Sequence, residues 1–136
     1  MLKIIVLGLI FSGSVHAVEK NVPLPTIKDG EFAVFDGTNY KKFKVFESEG
    51  LRFSTDCKTK KMKCKAVEAS AKQIDKIQNP TPRISPASQL CSIVEGKNLI
   101  AFNQKKEEYN FCQFEDGSFV NSWSLYYKFF PKTVIK

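Results

Sequence analysis

The chain is 136 residues long, with 21 Lys and Arg against 14 Asp and Glu and a formal net charge of +7. That length supports one domain, or one with a small appendage, and excludes a barrel enzyme or a full dinucleotide-binding fold. A hydrophobic content of 43% with 12% aromatic residues excludes a disordered chain.

Residues 1–17 read as a secretory signal peptide cleaved after Ala17, which sends the chain to the periplasm or the medium. Lys3 supplies the positive start and Val15-His16-Ala17 the cleavage site. The apolar run from Ile4 to Phe11 is far shorter than the ~20 residues of a spanning helix, and no later stretch is long enough either. His16 is the only histidine and leaves with the signal. Nucleophile systems that need an imidazole, and His-based zinc sites, are thereby excluded from the mature chain. Two-carboxylate glycosidase chemistry is not.

Residues 18–78 read as an antiparallel sheet region behind an extended arm that holds Pro23 and Pro25. Phe32 to Phe35, the turn dipeptide Asp36-Gly37, and Phe43, Val45 and Phe46 predict a hairpin. After Gly50, Leu51 and Phe53 alternate with Arg52 and Ser54, a third strand. Met62, Cys64 and Ala66 alternate with Lys61, Lys63 and Lys65, a fourth. Residues 66–78 fit no single pattern, although Ala69, Ile74 and Ile77 could mark a helical stripe. Residues 79–84, opening with Asn79-Pro80-Thr81-Pro82, predict a stiff linker and a boundary.

Residues 85–136 form the second predicted unit. Ser85 is a good N-cap and Pro86 suits the first helical position. Ala87, Leu90, Cys91 and Val94 then share one helix face, and Gly96 ends the helix in the left-handed conformation. Asn98 to Phe102 and Glu108 to Phe114 read as strands around a polar turn. Residues 119–130 fit a helix and a strand equally well. The fold class is thus α+β: an antiparallel β-meander, then a small disulfide-stapled helix–β-hairpin–helix unit.

Cys57, Cys64, Cys91 and Cys112 are an even set in an exported chain, which predicts two disulfides. Of three pairings, Cys57–Cys64 and Cys91–Cys112 each bracket a local unit. By chain entropy their loops contribute about 2.5 and about 3 kcal/mol. A four-Cys metal site would show close Cys pairs, and none is present. No metal or cofactor is expected.

Ser85-Pro86-Ala87-Ser88, Cys91, Gly96, Cys112 to Ser118 with its Asp116-Gly117-Ser118 turn, and Trp123 resemble a small bacterial domain. It is the domain of unknown function numbered 333, whose members are often labelled hemolysins, and the likeness covers about residues 83–130. Ser85 stands where that family usually has Asn, and only Gly96 remains of its Gly-Gly pair. Val120 and Phe130 occupy the positions of a second Cys pair found in many relatives. The resemblance retains Cys91–Cys112, implies a short Trp-bearing helix after the Asp-Gly turn, and brings no catalytic residue. No pore-forming amphipathic segment is visible, and the resemblance does not extend to residues 18–80.

Lys58, Lys60, Lys61, Lys63 and Lys65 form the sharpest charge cluster. It reads either as an anion-binding hairpin or as lysines guarding a strand edge against aggregation. No Arg or aromatic residue is interleaved, which argues against nucleic acid. Trp123, Tyr126, Tyr127, Phe129 and Phe130 read as the core of the second unit, with a recognition surface as the other reading. Glu47 with Glu49, Glu107 with Glu108, and Glu115 with Asp116 read as solvated turn residues. The chain is thus read as an exported, non-catalytic binding or cell-envelope accessory protein. Its partner is expected to be an anionic envelope component or an acidic protein. The other class is a secreted inhibitor or effector acting on an enzyme.

Overall fold

A computed structural model describes residues 22–132. The expected signal peptide lies outside the described residues, as do positions 18–21 of the arm and 133–136 of the second unit.

Three of the four strands expected in the N-terminal meander are present. Strand β1 (Glu31–Phe35) pairs antiparallel with β2 (Tyr40–Ser48) from Glu31↔Lys44 to Phe35↔Tyr40. Asp36 fixes their turn, its Oδ1 accepting the N–H groups of Thr38 and Asn39, each at 2.8 Å. Strand β3 (Leu51–Ser54) follows β2 through Glu49 and Gly50, both at positive φ (51° and 79°). Two positive φ angles in a two-residue loop match the right-handed twist of the strands.

The predicted fourth strand is not a strand. Residues 55–70 form two short helices, α1 (Thr55–Thr59) and α2 (Lys65–Ser70). Met62, Cys64 and Ala66 do turn inward, as their alternation with lysines suggested. They do so through a turn and a helix start rather than a pleat. The Met62 N–H returns to the Cys57 carbonyl at 2.7 Å, with Lys61 and Met62 at φ 54° and 64°. That bond closes α1, and the Cys57–Cys64 disulfide (Cα–Cα 5.3 Å) holds the next helix beside it. After Ser70 no regular element forms until α3, so the stripe of Ala69, Ile74 and Ile77 is not one helix. Ile74 nonetheless packs on the core.

Helix α3 (Pro86–Ile93) starts where Ser85 and Pro86 place it: Ser85 Oγ accepts the Ser88 N–H at 3.2 Å. Its end differs from expectation. Glu95, not Gly96, takes the left-handed conformation (φ 67°), and the Gly96 N–H closes the helix on the Cys91 carbonyl at 2.8 Å. Strands β4 (Lys97–Phe102) and β5 (Glu108–Gln113) form the predicted hairpin. Residues 119–130 resolve into both readings, strand β6 (Phe119–Asn121) and then helix α4 (Ser122–Phe129).

The two predicted units are not separate. The strands close one barrel in the order β1-β2-β3-β6-β5-β4. Two short seams join the halves: Ala33↔Phe102 and Val34↔Ala101 between β1 and β4, and Phe53↔Val120 between β3 and β6. Hydroxyls extend the second seam. Ser54 Oγ accepts the Phe119 N–H at 2.8 Å, and Ser124 Oγ accepts the Arg52 N–H at 3.3 Å. Residues 79–84 are therefore a connection within one body. Gln89 of α3 pins it, its Nε2 donating to the carbonyls of Thr81 and Ile84 and its Oε1 accepting the Thr81 N–H.

Alternate strand positions build two cores. Phe32, Val34, Phe43, Val45, Leu99, Ala101, Tyr109, Phe111 and Phe119 fill the barrel. Phe43 stacks on Phe119 at 4.5 Å, and Phe111 meets both Phe32 and Phe43 edge-on at 5.1 Å. Such pairs add about 0.5–1.5 kcal/mol each beyond area burial. Leu51, Phe53, Cys112 and Val120 face the other way and pack beneath the four helices with Cys57, Ala69, Leu90, Val94 and Leu125.

Candidate functional site

Four of the five predicted lysines stand where α1 runs into the turn before α2. Lys58 lies in the last turn of α1, Lys60 and Lys61 make the turn, and Lys63 precedes Cys64. All four are exposed, and none forms an ion pair among the described residues. Lys60 lies near enough to Asp116 for its charge to favour that carboxylate. The backbone beneath them is fixed three ways: by the disulfide, by the Met62 bond to Cys57, and by Met62 and Cys64 packing into the helical core.

Lys65 has a different role. As the first residue of α2 it donates Nζ to Glu115 Oε2 at 2.8 Å. That bond holds the lysine above and the glutamate below their ordinary pKa. The Lys65 N–H donates to Asp116 Oδ2 at 2.8 Å, and the Ala66 N–H to Ser118 Oγ at 3.0 Å. Helix α2 has no side-chain cap of its own at Cys64, so Asp116 and Ser118 cap it from the turn between β5 and β6. Burial alone would raise the Asp116 pKa. The Ser118 hydroxyl and the N–H groups of Lys65 and Ser118 outweigh it and bring the carboxyl below its ordinary value.

Glu115 and Asp116 are therefore more than turn solvent, which the sequence reading missed. Gly117 supplies the positive φ (84°) that the turn requires, and Ser118 is fully buried. The remaining motif residues also serve the framework. Cys91–Cys112 (Cα–Cα 5.6 Å) joins α3 to β5 in the core, and both residues are fully buried. A side chain at Gly96 would overlap Cys112 Sγ and lie 3.0 Å from Cys91 Sγ. Ala87 is buried under α3, and Ser88 takes a hydrogen bond from the Ser85 hydroxyl at 2.9 Å.

Residues 84–128 match the family described as Domain of unknown function (DUF333). No curated protein and no solved structure matches the chain. The DUF333 region runs from the start of α3 to α4 and supplies three of the six strands. It supplies the Asp116–Ser118 clamp, while the four exposed lysines lie outside it.

The aromatic segment at the end of the DUF333 region corrects another expectation. Leu125 and Ser122 are the buried residues of α4. Trp123, Tyr126, Phe129 and Phe130 are half-buried and Tyr127 is exposed, so none of the row is a fully enclosed core residue. Tyr126 and Phe129 lean on the core, and Val120 lies within it.

A cleft of about 280 Å³ separates α2 from the end of α3. Lys65, Lys72, Glu68, Glu95 and Glu115 rim it above Val94 and Phe114, giving charges of both signs. Among the described residues no group of His, Cys, Asp or Glu is placed to hold a metal ion. No described helix is long and apolar enough to cross a membrane.

Proposed function

We propose that this chain is an exported, non-catalytic binding protein of the cell envelope. It takes an anionic component on Lys58, Lys60, Lys61 and Lys63. The observation that carries this reading is where the lysines stand. Lysines on a strand edge would be explained as guards against edge-to-edge pairing. These four stand at the end of α1 and on the turn that follows it, outside the sheet, so that explanation has no edge to act on. The turn is stiff, and a stiff loop loses less entropy on binding. Unpaired ammonium groups clustered on it raise the local positive potential and draw anions. The two disulfides fit an oxidising compartment outside the cytosol, in keeping with export.

The test uses dextran sulfate as a probe polyanion. The mature protein binds it at low ionic strength and releases it as salt rises through the range where exposed charges are screened. Replacing Lys58, Lys60 and Lys61 together with Gln weakens that binding and leaves the melting temperature within error, because exposed charges contribute little to stability. Unchanged affinity of the triple variant at low salt would sink the reading.

A further inference from the structure

Helix α4 carries a surface that the lysine turn does not explain. Trp123 and Tyr127 stack one helical turn apart, with ring centroids at 5.7 Å and 29° between their planes. Tyr126 and Phe130 repeat the spacing beside them at 5.1 Å. None of the four is buried, while Leu125 of the same helix is fully enclosed. A helix that used these rings only as core would turn them inward. Lys132 stands with Nζ 4.6 Å from the centre of the Tyr127 ring. No acidic residue occurs in α4.

Trp and Tyr have an apolar body and a polar tip, and flanking lysines reach phosphate. That combination settles at the headgroup level of a bilayer. We infer that α4 is a membrane-surface contact that seats Trp123 and Tyr127 among the headgroups of anionic phospholipid. Charge complementarity selects this partner. The chain carries 21 Lys and Arg against 14 Asp and Glu, and this face adds Lys132, just past α4, with no carboxylate in the helix to oppose an anionic surface. Lys128 Nζ donates to the Ser70 carbonyl and so ties α4 to α2. The lysine turn thus belongs to the same helical layer and adds long-range attraction. The inference rests on the anion-binding reading and names a partner class for it.

Trp123 is the only tryptophan, so its emission reports on this face alone. The mature protein is mixed with phosphatidylcholine vesicles containing phosphatidylglycerol at low salt. Emission shifts to the blue and is quenched by brominated lipid. Lys132→Gln lowers partitioning about fivefold, the effect of one basic residue near an anionic surface. Tyr127→Ser lowers it as well. Both positions are exposed, and circular dichroism checks that the fold is intact.

Co-sedimentation without a change in Trp123 emission would show that the lysine turn docks alone, and would overturn the inference. Failure to bind vesicles while dextran sulfate still binds would overturn it and leave the anion-binding reading standing. Failure to bind either would remove both. An equal shift with pure phosphatidylcholine would overturn the assignment to anionic lipid. A blue shift that follows protein concentration without lipid would place a second copy on this face, again overturning it.

Discussion

At Gly96 a β-carbon would meet the Cys91–Cys112 sulfurs, so the position needs the missing side chain more than a free backbone. Gly96→Ala should destabilise the protein by about 1–3 kcal/mol, the usual range for overpacking a filled core. Urea denaturation measures it, and an unchanged midpoint would mean that the disulfide moves aside freely. Sequence could show a glycine near a helix end but not the sulfur above it, because that contact joins residues far apart in the chain. Asp116 gives a second prediction at this scale. Its pKa is lowered on folding from 3.8, so it stabilises the fold above that value and the contribution is lost as pH falls further. Asp116→Asn should be less stable at neutral pH and show a shallower loss of stability through the acid range. Parallel acid profiles of the two proteins would contradict this role.

Helix α2 has only six residues, too few to be stable alone in water. Its partners are the Cys57–Cys64 disulfide and the cap from Asp116 and Ser118. Replacing Cys57 and Cys64 with Ser should cost about 2.5 kcal/mol by the chain-entropy estimate. The loss should be greatest locally: amides of residues 58–70 lose more protection than those of β4 and β5, which lose no more than the global cost. Uniform loss of protection along the chain would show that the turn is part of the global folding unit. The same weakness explains the misread strand. A real helix of five or six residues gives too short a period to recognise, and the alternation from Lys61 to Ala66 fits a strand better than a turn. By contrast β1, β2 and α3 were legible, because Asp36, Ser85 and Pro86 mark their ends with specific hydrogen bonds or fixed φ.

Closure of the barrel was not legible, because nothing local to Ala33 names Phe102 as its neighbour and nothing local to Phe53 names Val120. The candidate site was legible only as composition. The lysines stood out, but their separation from the sheet and the diversion of Lys65 to Glu115 depend on the whole fold. One body with shared cores makes a prediction of its own. A protease cut within 79–84 should leave two fragments that stay together on size exclusion under native, non-reducing conditions. Residues 85–136 expressed alone should show no cooperative unfolding, since β6 would lack β3 and β4 would lack β1. A stable isolated fragment would restore the two-unit reading. The covalent links have a further consequence. The disulfides close over 7 and 21 residues, each within one half of the chain, and neither crosses a seam. Oxidation can therefore finish in each half before the halves meet. The seams pair residues more than three times as far apart in sequence as the longer disulfide, a slow search of high contact order. Joining the halves is thus noncovalent, and a fully oxidised chain can open along its seams and close again without exchanging a sulfur bond.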